Sequence, residues 1–348
     1  MKNEQVRRIL VIRLSSMGDI ILTSALINLI RETFPLARID YCTKEQFAYL
    51  ARSNPNIHKV IKAKNEITRE ALKELKELIK LNNYNLIVDA QNNFNSLYLR
   101  SSQDAQKLVF RKHSIRKFLL VNFKINLLKN FPPIINRYKQ ILSKFAAIEK
   151  INQIETPEVF TDEVSERSIE KMLESLSIAQ GTEIVCIPAV SKHFTKTYPA
   201  ENYAEIINNY PNSQAVFFFT GTGSDSTNIN TIKSLTKERK VYDLCDKLEI
   251  PDLISLIKRC SLVICGDTGP MHIAEALDIP VIMLAGSSVN EFGFYPQNES
   301  SVVLENNTLK CRPCSHIGRS SCPKGHFKCM VEITTGMVLD KANELTLP

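Results

Sequence analysis

Four short segments set charged or hydroxyl side chains beside small residues, a combination suited to holding phosphates and sugars. The first is Ser15-Ser16-Met17-Gly18-Asp19. It places a carboxylate at a helix start, where Asp19 can cap the helix or take a proton. It lacks the three glycines of a dinucleotide fingerprint, which argues against a nicotinamide dehydrogenase. The second is Gly266-Asp267-Thr268-Gly269-Pro270-Met271-His272. Pro270 suits a first helical turn, and Gly269 permits close approach of backbone to a ligand. The free amides of that helix start, the Thr268 hydroxyl and His272 could cradle a phosphate; a capped tight turn is the plainer alternative. The third runs from Ser191-Lys192 to Lys196-Thr197-Tyr198-Pro199. A lysine there is ordinarily a surface residue, but opposite a diphosphate it would neutralise a leaving group. In the fourth, Gly221-Thr222-Gly223-Ser224-Asp225, the aspartate can cap a helix or accept hydrogen bonds from a ribose.

A fifth cluster is made of sulfur. Cys311, Cys314, Cys322 and Cys329 lie close in sequence, with His326 among them. These are zinc-type ligands, yet only one Cys-x-x-Cys pair is present, so the two-knuckle spacing of a zinc ribbon is missing. A structural zinc at these four cysteines, reduced packed thiols and disulfides are the readings that stay open. No catalytic metal is expected.

These segments need platforms. Residues 8–13 form a short apolar run suited to a buried parallel strand, and a helix follows from Asp19 with Ile20, Ile21, Leu22, Ala25, Leu26, Leu29 and Ile30 on a broad apolar face. Strands at 37–42, 57–62 and 85–89 then alternate with helices at 44–52 and 66–81, and a helix is expected near 136–148. After Thr156-Pro157 a helix at 165–177 leads into a second alternation. Its strands are expected at 183–188, 214–220, 240–244, 262–265 and 280–285, with helices at 200–208, 225–236, 251–259 and 270–277. Such alternation predicts doubly wound parallel sheets. The expected domains are therefore 1–155 and 156–332, with a C-terminal helix at about 333–348 packing back on the first. Ligands of open α/β sheets bind beyond the strand carboxyl ends, so two such domains are expected to face a shared cleft.

Length and composition agree. The 348 residues suffice for two domains, and 44% hydrophobic with 23% charged residues is the balance of a globular protein, not a disordered or collagen-like one. No apolar run is long enough to span a membrane, and no secretory h-region follows Arg7-Arg8. Nine cysteines without an export signal point to reduced thiols in the cytoplasm. The net charge of +7 is concentrated: residues 105–148 hold ten Lys and Arg and no Asp or Glu, interleaved with aromatics such as Phe118, Phe123 and Tyr138. A solvated basic face, an anionic membrane or glycolipid, and nucleic acid all fit that charge.

In order and spacing the motifs resemble the ADP-heptose–lipopolysaccharide heptosyltransferases, closest to the second-heptose type, across nearly the whole chain. The resemblance rests on Ile9-Leu10-Val11-Ile12-Arg13 with Ser16-Met17-Gly18-Asp19, on Lys196-Thr197-Tyr198-Pro199, on Asp243-Leu244-Cys245 and most heavily on Val263 through Ala274. Tyr198 departs from the family's usual Trp. The Cys-x-Pro-Cys and Cys-Pro-x-Gly-His-x-x-Cys segments carry the second-heptose likeness. It implies the GT-B fold, two Rossmann-like α/β domains, and inverting, cofactor-free and metal-independent transfer of L-glycero-D-manno-heptose from its ADP-sugar to the inner core of lipopolysaccharide. It implies Asp19 as catalytic base. The donor contacts it implies are Ser191, Lys196, Asp267, Thr268, Gly269 and His272, with Asp225 and Leu248 as further matches. Acceptor contacts are expected at Ser16, Gly18, Asp89, Arg111, Lys112, Arg116 and Lys117. The basic stretch then meets an anionic glycolipid at the cytoplasmic face of the inner membrane, with peripheral membrane contact and no nucleic acid. The alternatives are a related glycosyltransferase with another donor, a GT-B-like sugar-nucleotide epimerase, and a zinc-containing nucleic-acid-binding protein.

Overall fold

The computed structural model describes residues 6–189, 191, 193–222 and 226–346. The chain divides into two units: one reaches to His113 and resumes at Pro132–Phe160, the other comprises Ser114–Phe131 and the chain from Thr161 onward. Each unit is built on a parallel sheet, as the alternation predicts.

The first sheet contains β1 (Arg8–Ile12), β2 (Arg38–Lys44), β3 (Lys59–Ala63), β4 (Leu86–Asp89) and β5 (Gln106–Val109), in the order β3-β2-β1-β4-β5. Central β1 pairs Ile9 with Ile39 of β2 and Leu86 of β4. Its last four residues and all of β4 are buried, the near-continuous apolar run that helices on both faces require. The second sheet contains β6 (Ile184–Ile187), β7 (Val216–Phe219), β8 (Lys240–Asp243), β9 (Leu262–Cys265), β10 (Val281–Ala285) and β11 (Val302–Glu305), in the order β11-β10-β9-β6-β7-β8. Phe217 and Phe219 of β7 enter a core with Ile187, Ile264 and Leu284.

Two strands lie outside the sequence expectation, β5 and β11. Both are sheet edges. An edge strand meets the core along part of its surface, so in β5 only Leu108 is buried and the apolar run that marks β1 is absent. The expected 136–148 helix is broken into Ile134–Lys139, a turn at Gln140–Leu142 and Ile148–Asn152.

Two boundaries also differ from expectation. Residues 114–131 leave the first unit, splitting the basic stretch, because Leu120 and Leu128 pack on Phe292. The C-terminal helix Thr335–Thr346 packs on the helix Ala200–Asn208 of the second unit instead of returning to the first. Val338 and Ala342 are fully buried in the second core, and the Tyr198 hydroxyl donates to Ile333 O at 2.6 Å. Its apolar face is therefore spent there.

Candidate active site

In the first unit the chemistry gathers where β1 ends. Ser16 is the N-cap of the helix Met17–Leu22 and Asp19 is its third residue. Asp19 Oδ2 accepts from the Ser16 hydroxyl at 2.8 Å and from its amide at 3.3 Å. The capping role is therefore real. Three further facts exceed a cap. The Arg13 guanidinium forms an ion pair with Asp19 Oδ2, the Tyr138 hydroxyl donates to Oδ1 at 2.7 Å, and the Asp19 side chain keeps 15% of its surface exposed. Burial on its own would raise the Asp19 carboxyl, but the Arg13 charge and the hydrogen bonds from Tyr138 and Ser16 outweigh it and hold the group below the ordinary carboxylate range. Burial pushes the Tyr138 phenol well up, so it stays a donor. Arg13 is itself fixed by donating to Ala90 O at 2.7 Å and lies 5.6 Å from the Tyr138 ring centre.

The expected acceptor residues separate. Ser16 and Gly18 adjoin Asp19, Ser16 exposed and Gly18 buried. Lys112 is half-buried; burial and Arg13 lower its ammonium while Asp89 and Asp19 oppose them, which places it beside the same charges. Arg111 is exposed. Asp89 is a correction: it is wholly buried and holds its own turn. It accepts from Gln91 N (3.0 Å), Asn92 N (2.7 Å) and the Ser96 hydroxyl (2.9 Å), and pairs with Arg100 at 2.8 Å. Arg116 and Lys117 belong to the second unit, Arg116 4.9 Å above the Phe131 ring and Lys117 5.9 Å from that of Phe292.

In the second unit Lys196 ends a single helical turn, Phe194–Lys196, and its Nζ lies 2.5 Å from Asp267 Oδ2. Ser288 Oγ donates to the same oxygen at 3.2 Å. Asp267 follows β9 and precedes Thr268, the N-cap of the helix Gly269–Ala276, which carries Pro270 in its first turn. The Thr268 hydroxyl is buried and finds no nitrogen or oxygen partner among the described residues, with the Cys265 thiol beside it. Buried hydroxyls are normally satisfied, which sets this one apart from its neighbours. His272 is 3% exposed, with Nδ1 3.4 Å from Glu275 Oε2. It is a buried buttress under the helix start, not a group on its surface. The Ser191 amide donates to Thr197 Oγ1 at 3.2 Å, and Leu248 is half-buried before the helix Ile250–Ile257. Asp225 lies outside the described residues.

Gly266 has a steric reason. A Cβ there would come 2.7 Å from the Lys196 carbonyl oxygen, so a side chain would push away the turn that aims Lys196. Gly266→Ala should lower stability by about 1–3 kcal/mol in denaturant unfolding. Unaltered stability would show that the turn yields freely.

Arg13, Tyr138 and Ser288 are the site residues that sequence reasoning missed. The visible signals were Arg13 at the end of a strand and Tyr138 among the aromatics of the basic stretch; neither points to Asp19. The cysteine segment lies in the second unit. None of the nine cysteines is in a disulfide, Cys311 Sγ lies 3.9 Å from His326 Nε2, and among the described residues no three ligand-type side chains converge to hold a metal. Burial pushes the Cys329 thiol up to about 11 and also raises Cys314. Arg312 anchors the segment by donating to Gly286 O (2.7 Å) and Ser288 O (2.7 Å) and pairing with Glu305 (2.8 Å).

Comparison with known proteins follows the same lines. The chain is 28% identical over 183 residues to lipooligosaccharide heptosyltransferase 2 of Campylobacter jejuni serotype O:6, covering 51% of this chain and 56% of that protein. It thus spans about half the length of this relative. Lipooligosaccharide heptosyltransferase 2 of Haemophilus influenzae is 23% identical over 356 residues, covering 97% of this chain and 99% of that one. The solved structure of Escherichia coli ADP-heptose lipopolysaccharide heptosyltransferase II superposes with a TM-score of 0.77 at 19% identity, over 97% of this chain and 98% of the other, and so shares the fold. Residues 72–324 match the family described as glycosyltransferase family 9 (heptosyltransferase). On that match, which takes in Lys196, Asp267 and Thr268, the chain belongs to glycosyltransferase family 9, the heptosyltransferases.

Proposed function

We propose that the protein transfers L-glycero-D-manno-heptose, with inversion, from ADP-L-glycero-β-D-manno-heptose to a hydroxyl of the inner core of lipopolysaccharide, as an enzyme of the second-heptose type. The observation that carries this is the second unit's charged set: Lys196 beside Asp267 at a helix start whose buried Thr268 hydroxyl has no nitrogen or oxygen partner among the described residues. Lys196 and the first amides of Gly269–Ala276 supply positive charge to the departing ADP, so the chemistry asks for no metal or cofactor. Ser191, Leu248 and Asp225 are the further donor contacts. Asp19 takes the acceptor proton. A carboxylate held this acidic is a weak base in the ground state, but the attacking hydroxyl becomes strongly acidic as its bond to the anomeric carbon forms. Lys112 and Ser16 near it suit a phosphate-bearing glycolipid. Such an acceptor places the protein in the cytoplasm at the inner face of the inner membrane. Among the described residues no helix is long and apolar enough to cross one, so contact with the membrane is peripheral in this reading.

The deciding experiment measures ADP release from ADP-heptose with and without core lipopolysaccharide. Release that requires the acceptor supports the transferase. An altered ADP-sugar formed without acceptor would mean an epimerase, and release from other ADP-sugars alone would change the donor.

Tyr138→Phe tests the base. Transfer is lost as pH falls through the Asp19 pKa, and the lost hydrogen bond raises that pKa, so the acid limb of the kcat profile should move to higher pH. An unmoved limb would detach Asp19 from the titrating step.

A further inference from the structure

The segment 114–131 is riveted on one side and bare on the other. Its inner side packs Leu120 and Leu128 on Phe292. Lys124 Nζ donates to Pro313 O at 2.7 Å and Cys311 O at 3.1 Å, and Asn126 Nδ2 donates to Glu291 Oε1 at 2.7 Å. These contacts hold the helix Ser114–Phe123 and the following turn in one orientation. The outer side carries Ile115 (77% exposed), Phe118 (57%), Phe123 (62%), Ile125 (49%) and Leu127 (48%). Ile115 and Phe118 lie one helical turn apart, and the Phe118 and Phe123 rings meet edge-on at 6.0 Å. Single exposed apolar residues need no explanation, but five within thirteen residues make a patch.

The surroundings select the partner. Residues 111–131 contain six Lys and Arg and no acid. Lys129 is exposed at the end of the segment. A protein surface or a second copy would have to meet this charge with carboxylates, and the segment has none to offer in return. Aromatic and aliphatic side chains projecting from a helix, with cations flanking them, match the boundary between headgroups and acyl chains of an anionic bilayer.

We propose that the exposed face of residues 114–127 docks on an anionic phospholipid bilayer. Ile115, Phe118 and Phe123 enter the acyl–headgroup boundary, and Lys129 lies against lipid phosphates. This deepens the glycolipid-acceptor reading by naming the element that brings the protein to the surface where such an acceptor resides.

The chain contains no tryptophan, so Phe118→Trp introduces a single reporter at the patch. The full-length protein is mixed with vesicles of equimolar phosphatidylcholine and phosphatidylglycerol, and with phosphatidylcholine vesicles as reference. Emission should shift to the blue and be quenched by brominated acyl chains on the anionic vesicles only, and salt should reverse binding. Phe118→Ser with Phe123→Ser should lower vesicle partitioning by about tenfold or more in sedimentation. Both positions are exposed, and thermal unfolding of the double variant confirms that it folds. Emission that ignores vesicles, or sedimentation unchanged in the double variant, would overturn the proposal. So would a wild-type dimer that the double variant abolishes while neither form binds vesicles, which would make the patch an interface between copies. Vesicle binding uses neither donor nor acceptor, so its failure is distinct from a failure of ADP release.

Discussion

Asp19→Asn should fold, retain ADP-heptose and lose transfer, with kcat falling about 10²-fold or more, the magnitude of a missing general base. The amide can still accept from Ser16, so the cap largely survives. The ion pair does not. Arg13 is 9% exposed at its side chain and would lose its counter-ion, at a cost of up to about 3 kcal/mol. Stability must therefore be measured beside rate. Arg13→Gln separates the two effects: it removes the pair but keeps the carboxylate. The Asp19 pKa then rises, so the acid limb of the rate profile should move to higher pH while transfer persists. Near-normal transfer by a folded, donor-binding Asp19→Asn protein would sink the base assignment. Asp89 is not the fallback, because all its acceptor capacity serves its own turn.

Lys196→Ala should cost about 10²–10³-fold in kcat/KM, the range for removing one donor from a developing anion. It should also weaken donor affinity, for a reason visible in the pair at 2.5 Å. Without the ammonium, the Asp267 carboxylate faces the incoming diphosphate as a like charge. Adding Asp267→Asn to Lys196→Ala removes that repulsion and should restore part of the affinity without restoring kcat. Isothermal titration with ADP and steady-state transfer rates measure the two separately. A Lys196→Ala enzyme with wild-type kcat/KM would remove Lys196 from the leaving-group side.

Much of the fold was written locally. The apolar runs of β1, β4, β7 and β9 mark strands buried on both faces, and Gly266 and Pro270 mark a tight turn entering a helix. The link between Ser16 and Asp19 spans three residues, so spacing alone exposes it. The edges β5 and β11 escaped because half-buried strands lack that run. What the tertiary structure alone decided is which groups meet. Tyr138 reaches Asp19 from 119 residues away, Lys196 and Asp267 are 71 apart, and Lys124 crosses 187 residues to the Cys311 carbonyl. Composition could count ten cations between 105 and 148 but could not sort them. Packing sets Lys112 beside Asp19, folds Arg116, Lys117 and Lys124 onto the second unit, and leaves Arg111 and Lys129 outside. The physical reason is that side-chain periodicity reports only whether a residue faces a core, whereas the pairing of buried charges depends on which chain segment supplies the partner.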